Sequence, residues 1–289
     1  MLGECDSSDG ETEDERTADA LADAEDCVVS GQCMNFAKFK KVATNAYETY
    51  IGVEKPGAPS PSASSVEDQY WRIVVQGTEH LCVNSAAIDT GEEGHGFTKN
   101  KNEAYGRHPW NLKNFSSNPH NLLRYLGPRL GVTVPTLHLG MIFSTSCWHK
   151  DPHMLPWTEY LHSGKSRIWY GIPDGQSDNF RKAVETLAPT SCQNKSLWLP
   201  SDIAMIPPNL LRDHNVSLAR TVQEPGEFVI VFPKAYSCSI STGYAESESV
   251  YFASRSWVQN LSQVLKVQKK LLSIKTPRQC LLIIRLIAI

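Results

Sequence analysis

The feature that most restricts what this chain can become is a series of short β-rich runs between Val66 and Trp257. WRIVVQ (71–76), HLCVN (80–84), TLHLGMIF (136–143), SRIWYGIP (166–173) and FVIVFP (228–233) are built largely from Val, Ile, Leu and aromatic residues. β-Branched and aromatic side chains of this kind suit a pleated, half-buried surface. Turn-forming residues fill the intervals. Helical patterns are fewer, at HNLLRYL (120–126) and SDNFRKAVETL (177–187). Many short strands with few helices predict a mainly β fold, a sandwich or barrel of jelly-roll type.

The flanks of this body read differently. The formal net charge of −3 hides an uneven split: residues 1–30 hold eleven acidic side chains and one basic one, leaving the rest at +7. So acidic a segment, poor in aromatics, cannot bury enough apolar surface to offset its ordering entropy, and 1–30 is expected to be disordered. Phe36, Phe39, Val42, Ala43, Ala46 and Tyr50 recur at helical spacing, so 31–54 is expected to be a helical segment. A Pro/Ser linker, KPGAPSPSASS, occupies 55–65. Beyond Trp257, Val258, Leu261, Val264, Leu265, Leu271 and Leu272 share one helical face, which predicts a helix over 258–275 packed on the barrel. The tail 276–289 resembles nothing else in the chain.

Eight scattered cysteines without a C-x-x-C pair argue against a zinc ribbon or a thioredoxin motif. No basic-then-apolar leader is visible, so an intracellular protein is expected. The apolar stretch from Leu281 to Ile289 is about half of what a bilayer span requires, and Arg285 interrupts it, so no membrane partner is expected.

The chemistry concentrates in CWHKDPHMLPWTEYLHSGKSRIWYGIP (147–173). His149 and Asp151 form an H-x-D pair beside a strand, and alternation at i and i+2 places both on one face. An imidazole and a carboxylate so placed supply two corners of a two-His-one-carboxylate iron site. Alone, such a pair is a weak signal in a chain with nine His and 31 acidic residues.

The surroundings are more specific. CWHKDPH, YLHSGKSRIWYGIP, RTVQEPGEFVIVFPKAYS and STGYAESESVYFA, with IDTGEEGHGF (88–97), RHPWNLKNF (107–115) and GVTVPTLHLGMIFSTSCW (131–148), together resemble the JmjC domain. The resemblance spans 31–257, with 66–257 as its firm part. It implies a cupin-like double-stranded β-helix with flanking helices. In active members of that family Fe(II) and 2-oxoglutarate support demethylation of histone lysines, with release of formaldehyde. On this resemblance His149 and Asp151 match the first two iron ligands. The third ligand should be a His after Ala-Tyr, where this chain has Ser237.

A serine hydroxyl is a poor ligand for Fe(II) beside a neutral imidazole. Cys238 is soft enough to bind a metal, but alternation points it to the other face. The resemblance implies further departures at the co-substrate position. Arg167 stands where active members have a lysine that pairs with the far carboxylate of 2-oxoglutarate, and the two cations are not interchangeable. Glu159 replaces an Asn and is expected to repel an anionic ligand. Ser146 replaces an aromatic residue. Fe(II) and 2-oxoglutarate are therefore implied by the family, with binding expected to be lost or weak.

Among other candidates, His153 is expected at the surface, and His138 and His162 as hydrogen-bonded strand residues. Trp110, Trp148, Trp169 and Trp198 are expected in the core. Arg107, Lys113, Arg124 and Arg129 contribute to a modestly basic body, and DNA binding is expected through regions outside this chain. The reading that follows is a catalytically inactive nuclear chromatin scaffold. The branch of the family it most resembles supplies accessory subunits of Polycomb repressive complex 2, which implies partners among that complex, chromatin and histones, and a longer parent protein. The alternative is an active Fe(II)/2-oxoglutarate-dependent histone lysine demethylase.

Overall fold

The computed structural model describes residues 33–53, 60–77, 88–89, 95–189 and 205–260. The expectations for the acidic tail 1–30, the strand at 80–84, Trp198 and most of the helix at 258–275 lie outside these residues. Within 258–275, residues 258–260 belong to a short 3-10 turn, Arg255–Asn260.

Two antiparallel sheets face each other. One has five strands in the order β1 (Ile88–Asp89), β2 (Thr136–Gly140), β9 (Ala245–Tyr251), β4 (Trp157–Gly164) and β7 (Phe228–Val231). The other has four, in the order β3 (Thr145–His149), β8 (Tyr236–Ser241), β5 (Arg167–Ile172) and β6 (Ala219–Gln223). This is the mainly β, two-sheet fold that the short-strand pattern predicts, with the flanking helices that the resemblance implies. The turn from β4 to β5 depends on Gly164. Its φ is +102°, and a Cβ there would meet Tyr244 O at 2.1 Å.

Alternation sorts the side chains. In β8, Tyr236, Cys238 and Ile240 face outward into a core shared with Ile168, Tyr170 and Ile172 of β5. Three helices cover that face. They are α2 (Ala63–Gln76), α3 (Ser177–Leu187) and α4 (Pro208–Asp213), which supply Val66, Tyr70, Phe180, Val184 and Leu211. Helix α1 (Phe36–Ile51) sets Phe39 and Ala43 against Leu137 and Leu139, on the outside of the five-stranded sheet. Burying such apolar faces supplies most of the driving force for the fold.

Three expectations need correction. WRIVVQ, expected as a strand, is the second half of α2. Val66, Tyr70 and Ile73 lie on one buried stripe at helical spacing, and Ser62 caps the N-terminus by accepting from Ser65 N at 3.2 Å. Gly77, in the left-handed conformation at φ 60°, closes the C-terminus. The linker is accordingly shorter than 55–65, since helix begins at Ala63. The stretch 120–126 forms a 3-10 turn, Leu122–Leu126, rather than an α-helix, with Asn121 at its start.

Candidate functional site: the polar barrel interior

The space between the sheets is polar at one end. His149 ends β3 directly opposite Ser237 of β8. A β-bulge lies between Ser146 and His149: Ser146 pairs with Ser239 and His149 with Ser237, so two residues of β3 oppose one of β8. The extra residue brings Ser146 and His149, three apart, onto the same inner face. His149 Nδ1 is 2.8 Å from Cys147 O, so the backbone fixes the ring through that nitrogen. The ring lies 6.2 Å from that of Trp157, at 28°.

Asp151 follows in a loop curled by Met154, which has φ 54° and donates its N–H to Asp151 O at 3.1 Å. Asp151 Oδ1 accepts from Leu155 N at 2.8 Å, and Oδ2 lies 3.7 Å from His153 Nδ1. His153 is therefore partly buried beside the carboxylate rather than at the surface, because the loop turns back on itself. Burial and the nearby Asp151 charge push the Tyr251 phenol well above its usual range. Lys150 places its Nζ 4.6 Å from the Tyr236 ring centre, and burial pushes its ammonium down.

The third corner does not complete a metal site. Ser237 is 3% exposed, and its Oγ has no hydrogen-bond partner. Among the described residues, no cluster of three His, Cys, Asp or Glu side chains could hold a metal ion. Cys238 faces the helix-covered core, where burial pushes its thiol well up, away from the thiolate that would bind a metal. The residues present do not fit a three-ligand iron centre.

The second half of the interior is organised by Arg167. From β5 it reaches across to the other sheet, where Nη1 donates to Glu159 Oε1 at 2.5 Å and to Ser247 Oγ at 3.1 Å. Nη2 donates to Ser239 Oγ at 2.8 Å. The guanidinium lies 5.3 Å from the Trp169 ring centre. Arg167 is 8% exposed and Glu159 4%. Expected to repel an anion, Glu159 in this geometry also pairs with Arg167, a cation that would attract one. Glu159 thus takes up part of the guanidinium that a 2-oxoglutarate carboxylate would need.

Supporting contacts extend the network. Trp169 Nε1 donates to Gln223 Oε1 at 2.8 Å, and Gln223 Nε2 donates to Glu159 O at 3.3 Å and Glu227 O at 3.0 Å. His138 lies 2.9 Å from Ser249 Oγ, and His162 2.8 Å from Glu248 Oε2, matching the expectation of hydrogen-bonded strand histidines. A cleft of about 430 Å³ leads outward from Ser237 and Trp169, lined also by Val229, Val231 and Phe232. Sequence reasoning missed Ser239, Ser247 and Gln223. The first two were legible, since YSCSIS and AESESVY put serine at successive inward positions. Trp148 and Trp169 are buried as expected, but Trp110 is 45% exposed. Only one side of Trp110 is packed, against Phe115 and Phe228.

No helix among the described residues is long and apolar enough to cross a membrane. Residues 136–252 match the family described as "JmjC domain, hydroxylase". The chain is similar to Protein Jumonji of Gallus gallus, with 35% identity over 86% of this chain and 20% of that protein. It is also similar to Lysine-specific demethylase JMJ706 of Oryza sativa subsp. japonica, with 36% identity over 68% of this chain and 23% of that protein. A third relative is Lysine-specific demethylase JMJ17 of Arabidopsis thaliana, with 31% identity over 80% of this chain and 20% of that protein. The chain thus spans about a fifth of the length of these relatives. With the two-sheet barrel, the H-x-D pair at the end of β3 and the ordered motifs that flank it, the chain belongs to the JmjC-domain family.

Proposed function

We propose that this chain is the catalytically inactive JmjC domain of a Jumonji-type chromatin protein. Its role is that of a nuclear scaffold that recruits or modulates a Polycomb histone methyltransferase complex in transcriptional repression. The observation that carries the inactive reading is Ser237, a buried and unpartnered hydroxyl opposite His149 where a third ligand would stand. The Glu159–Arg167 pair supports it, because the cation that would hold a co-substrate carboxylate already has one. The chromatin and Polycomb roles rest on the likeness to Protein Jumonji and are proposals for this chain.

The competing reading is an active Fe(II)/2-oxoglutarate-dependent histone lysine demethylase. It is favoured by the retention of His149 and Asp151 and by the relatives whose names carry that activity. Titration of the full chain with Mn(II), standing in for Fe(II), separates the two when run beside Ser237→His. Loss even of a supporting contact costs about 10–100-fold in metal affinity, and a missing ligand at least as much. The parent should therefore bind Mn(II) at least tenfold more weakly than Ser237→His. Equal, tight binding by the parent, with turnover of a methyl-lysine peptide, would establish the demethylase instead.

A further inference from the structure

The Arg167 cluster has more hydrogen-bonding capacity than a simple ion pair uses. Two hydroxyls, Ser239 Oγ and Ser247 Oγ, accept from the guanidinium. Glu159 supplies the only carboxylate that pairs with it among the described residues. Arg167 Nε, on a side chain 8% exposed, has no partner at all. A buried guanidinium with unspent donors, flanked by hydroxyls and backed by the Trp169 face, has the chemistry of a carboxylate-binding site. Its occupant comes from the chain itself, from the opposite sheet.

We propose that Glu159 acts as an internal ligand. Its carboxylate fills a small-carboxylate site made by Arg167, Ser239 and Ser247, and shortening Glu159 opens that site to free carboxylic acids. The inference rests on the inactive reading above, since it treats the site as closed to any external acid in the natural chain. It goes further in assigning the closure to one side chain and in naming what would replace it. The ligand class follows from the donor set: a monocarboxylate short enough to sit where the Glu159 side chain ends, such as acetate or propionate.

An ion pair that only ties β4 to β5 would also be lost on mutation, so stability alone does not discriminate. Chemical rescue does. The full chain is melted in chelator, without metal, in acetate, propionate or 2-oxoglutarate, each matched for ionic strength by sodium chloride. Glu159→Ala strands a buried cation and should lower Tm by roughly 10 °C. Millimolar propionate should recover at least half of that loss, while chloride recovers none. Glu159→Gln, which keeps the volume and blocks the site with an amide, should fall in Tm without recovering.

No recovery of Glu159→Ala beyond the salt control, or equal recovery of Glu159→Gln, overturns the proposal and leaves a structural tie. Should Glu159→Ala be insoluble in plain buffer, solubility restored by propionate supports the site, and insolubility in both overturns it. The parent arm separates the two readings. Stabilisation of the parent by 2-oxoglutarate contradicts the closed co-substrate pocket itself. A parent that ignores all three acids, with no rescue of the variant, overturns the internal ligand alone.

Discussion

Ser237 shows how one side chain alters the chemistry of a site while leaving its frame in place. Its backbone pairs with both His149 and Gly171, so β8 is held in register on two sides whatever the side chain is. The hydroxyl itself is buried without a partner. A buried polar group left unsatisfied costs on the order of 1–3 kcal/mol. Ser237→Ala should therefore stabilise the domain by about 1 kcal/mol, against the usual trend for core substitutions. Urea unfolding of the two proteins reads this directly, and a destabilisation of that size would mean the hydroxyl is satisfied after all. The positions of His149, Asp151 and Ser237 were legible in the sequence because they sit in ordered motifs. The meeting of Glu159 with Arg167 was not. Alternation tells which face a residue occupies, but not which residue of the opposite sheet it meets across the barrel.

At the scale of elements, the strands β2, β5 and β7 were readable in place from their β-branched and aromatic runs, and so was α3 with its apolar stripe. Helix α2 was not, because Trp71, Ile73, Val74 and Val75 together read as strand on intrinsic preference. The i, i+4 and i+7 spacing of Val66, Tyr70 and Ile73, with caps at both ends, overrides that preference once a sheet is there to receive the stripe. Two buried amides hold the 3-10 turns of the 112–126 region: Asn111 caps the first, and Asn121 ties both to the segment after β9. Asn121 Oδ1 accepts from Leu123 N at 3.1 Å and from Ala253 N at 2.9 Å, while its Nδ2 donates to Phe115 O at 2.9 Å. This joins Leu112–Ser117 and Leu122–Leu126 to the segment that leaves β9. Asn121→Ala breaks three hydrogen bonds at a residue 6% exposed. It should cost about 2–4 kcal/mol, and hydrogen exchange should show the loss concentrated over 112–126 and 251–257.

Across the whole molecule, buried tyrosines should limit stability at alkaline pH. Tyr70, between α2 and the four-stranded sheet, and Tyr251, inside the barrel, both have phenols raised far above their ordinary value by burial. In the unfolded chain they ionise near pH 10. Below that pH their contribution is fully present. Above it the unfolded state loses protons that the folded state keeps, and stability falls with rising pH. Each tyrosine contributes a slope of about 1.4 kcal/mol per pH unit. Phenolate absorbance from these two residues should appear only together with loss of tertiary structure. Tyr251→Phe should flatten the alkaline limb by about one proton's worth. Ionisation of both in the intact fold would contradict the burial argument. Helix α2 is also anchored electrostatically, as Arg220 Nε bonds both Glu67 oxygens, at 3.0 and 2.9 Å, and Tyr170 donates to the same carboxylate.

The bulge between Ser146 and His149 has a consequence for how such a protein can change over time. Because main-chain register, not ligand binding, aims His149 and Ser146 inward, the inactive reading proposed above leaves the frame of this corner in place. On that reading the departures to reverse lie at positions 146, 159, 167 and 237. Deleting Cys147 or Trp148 would remove the bulge and leave Ser146 and His149 two apart, still on one inner face, so the aim of His149 tolerates the loss of the extra residue.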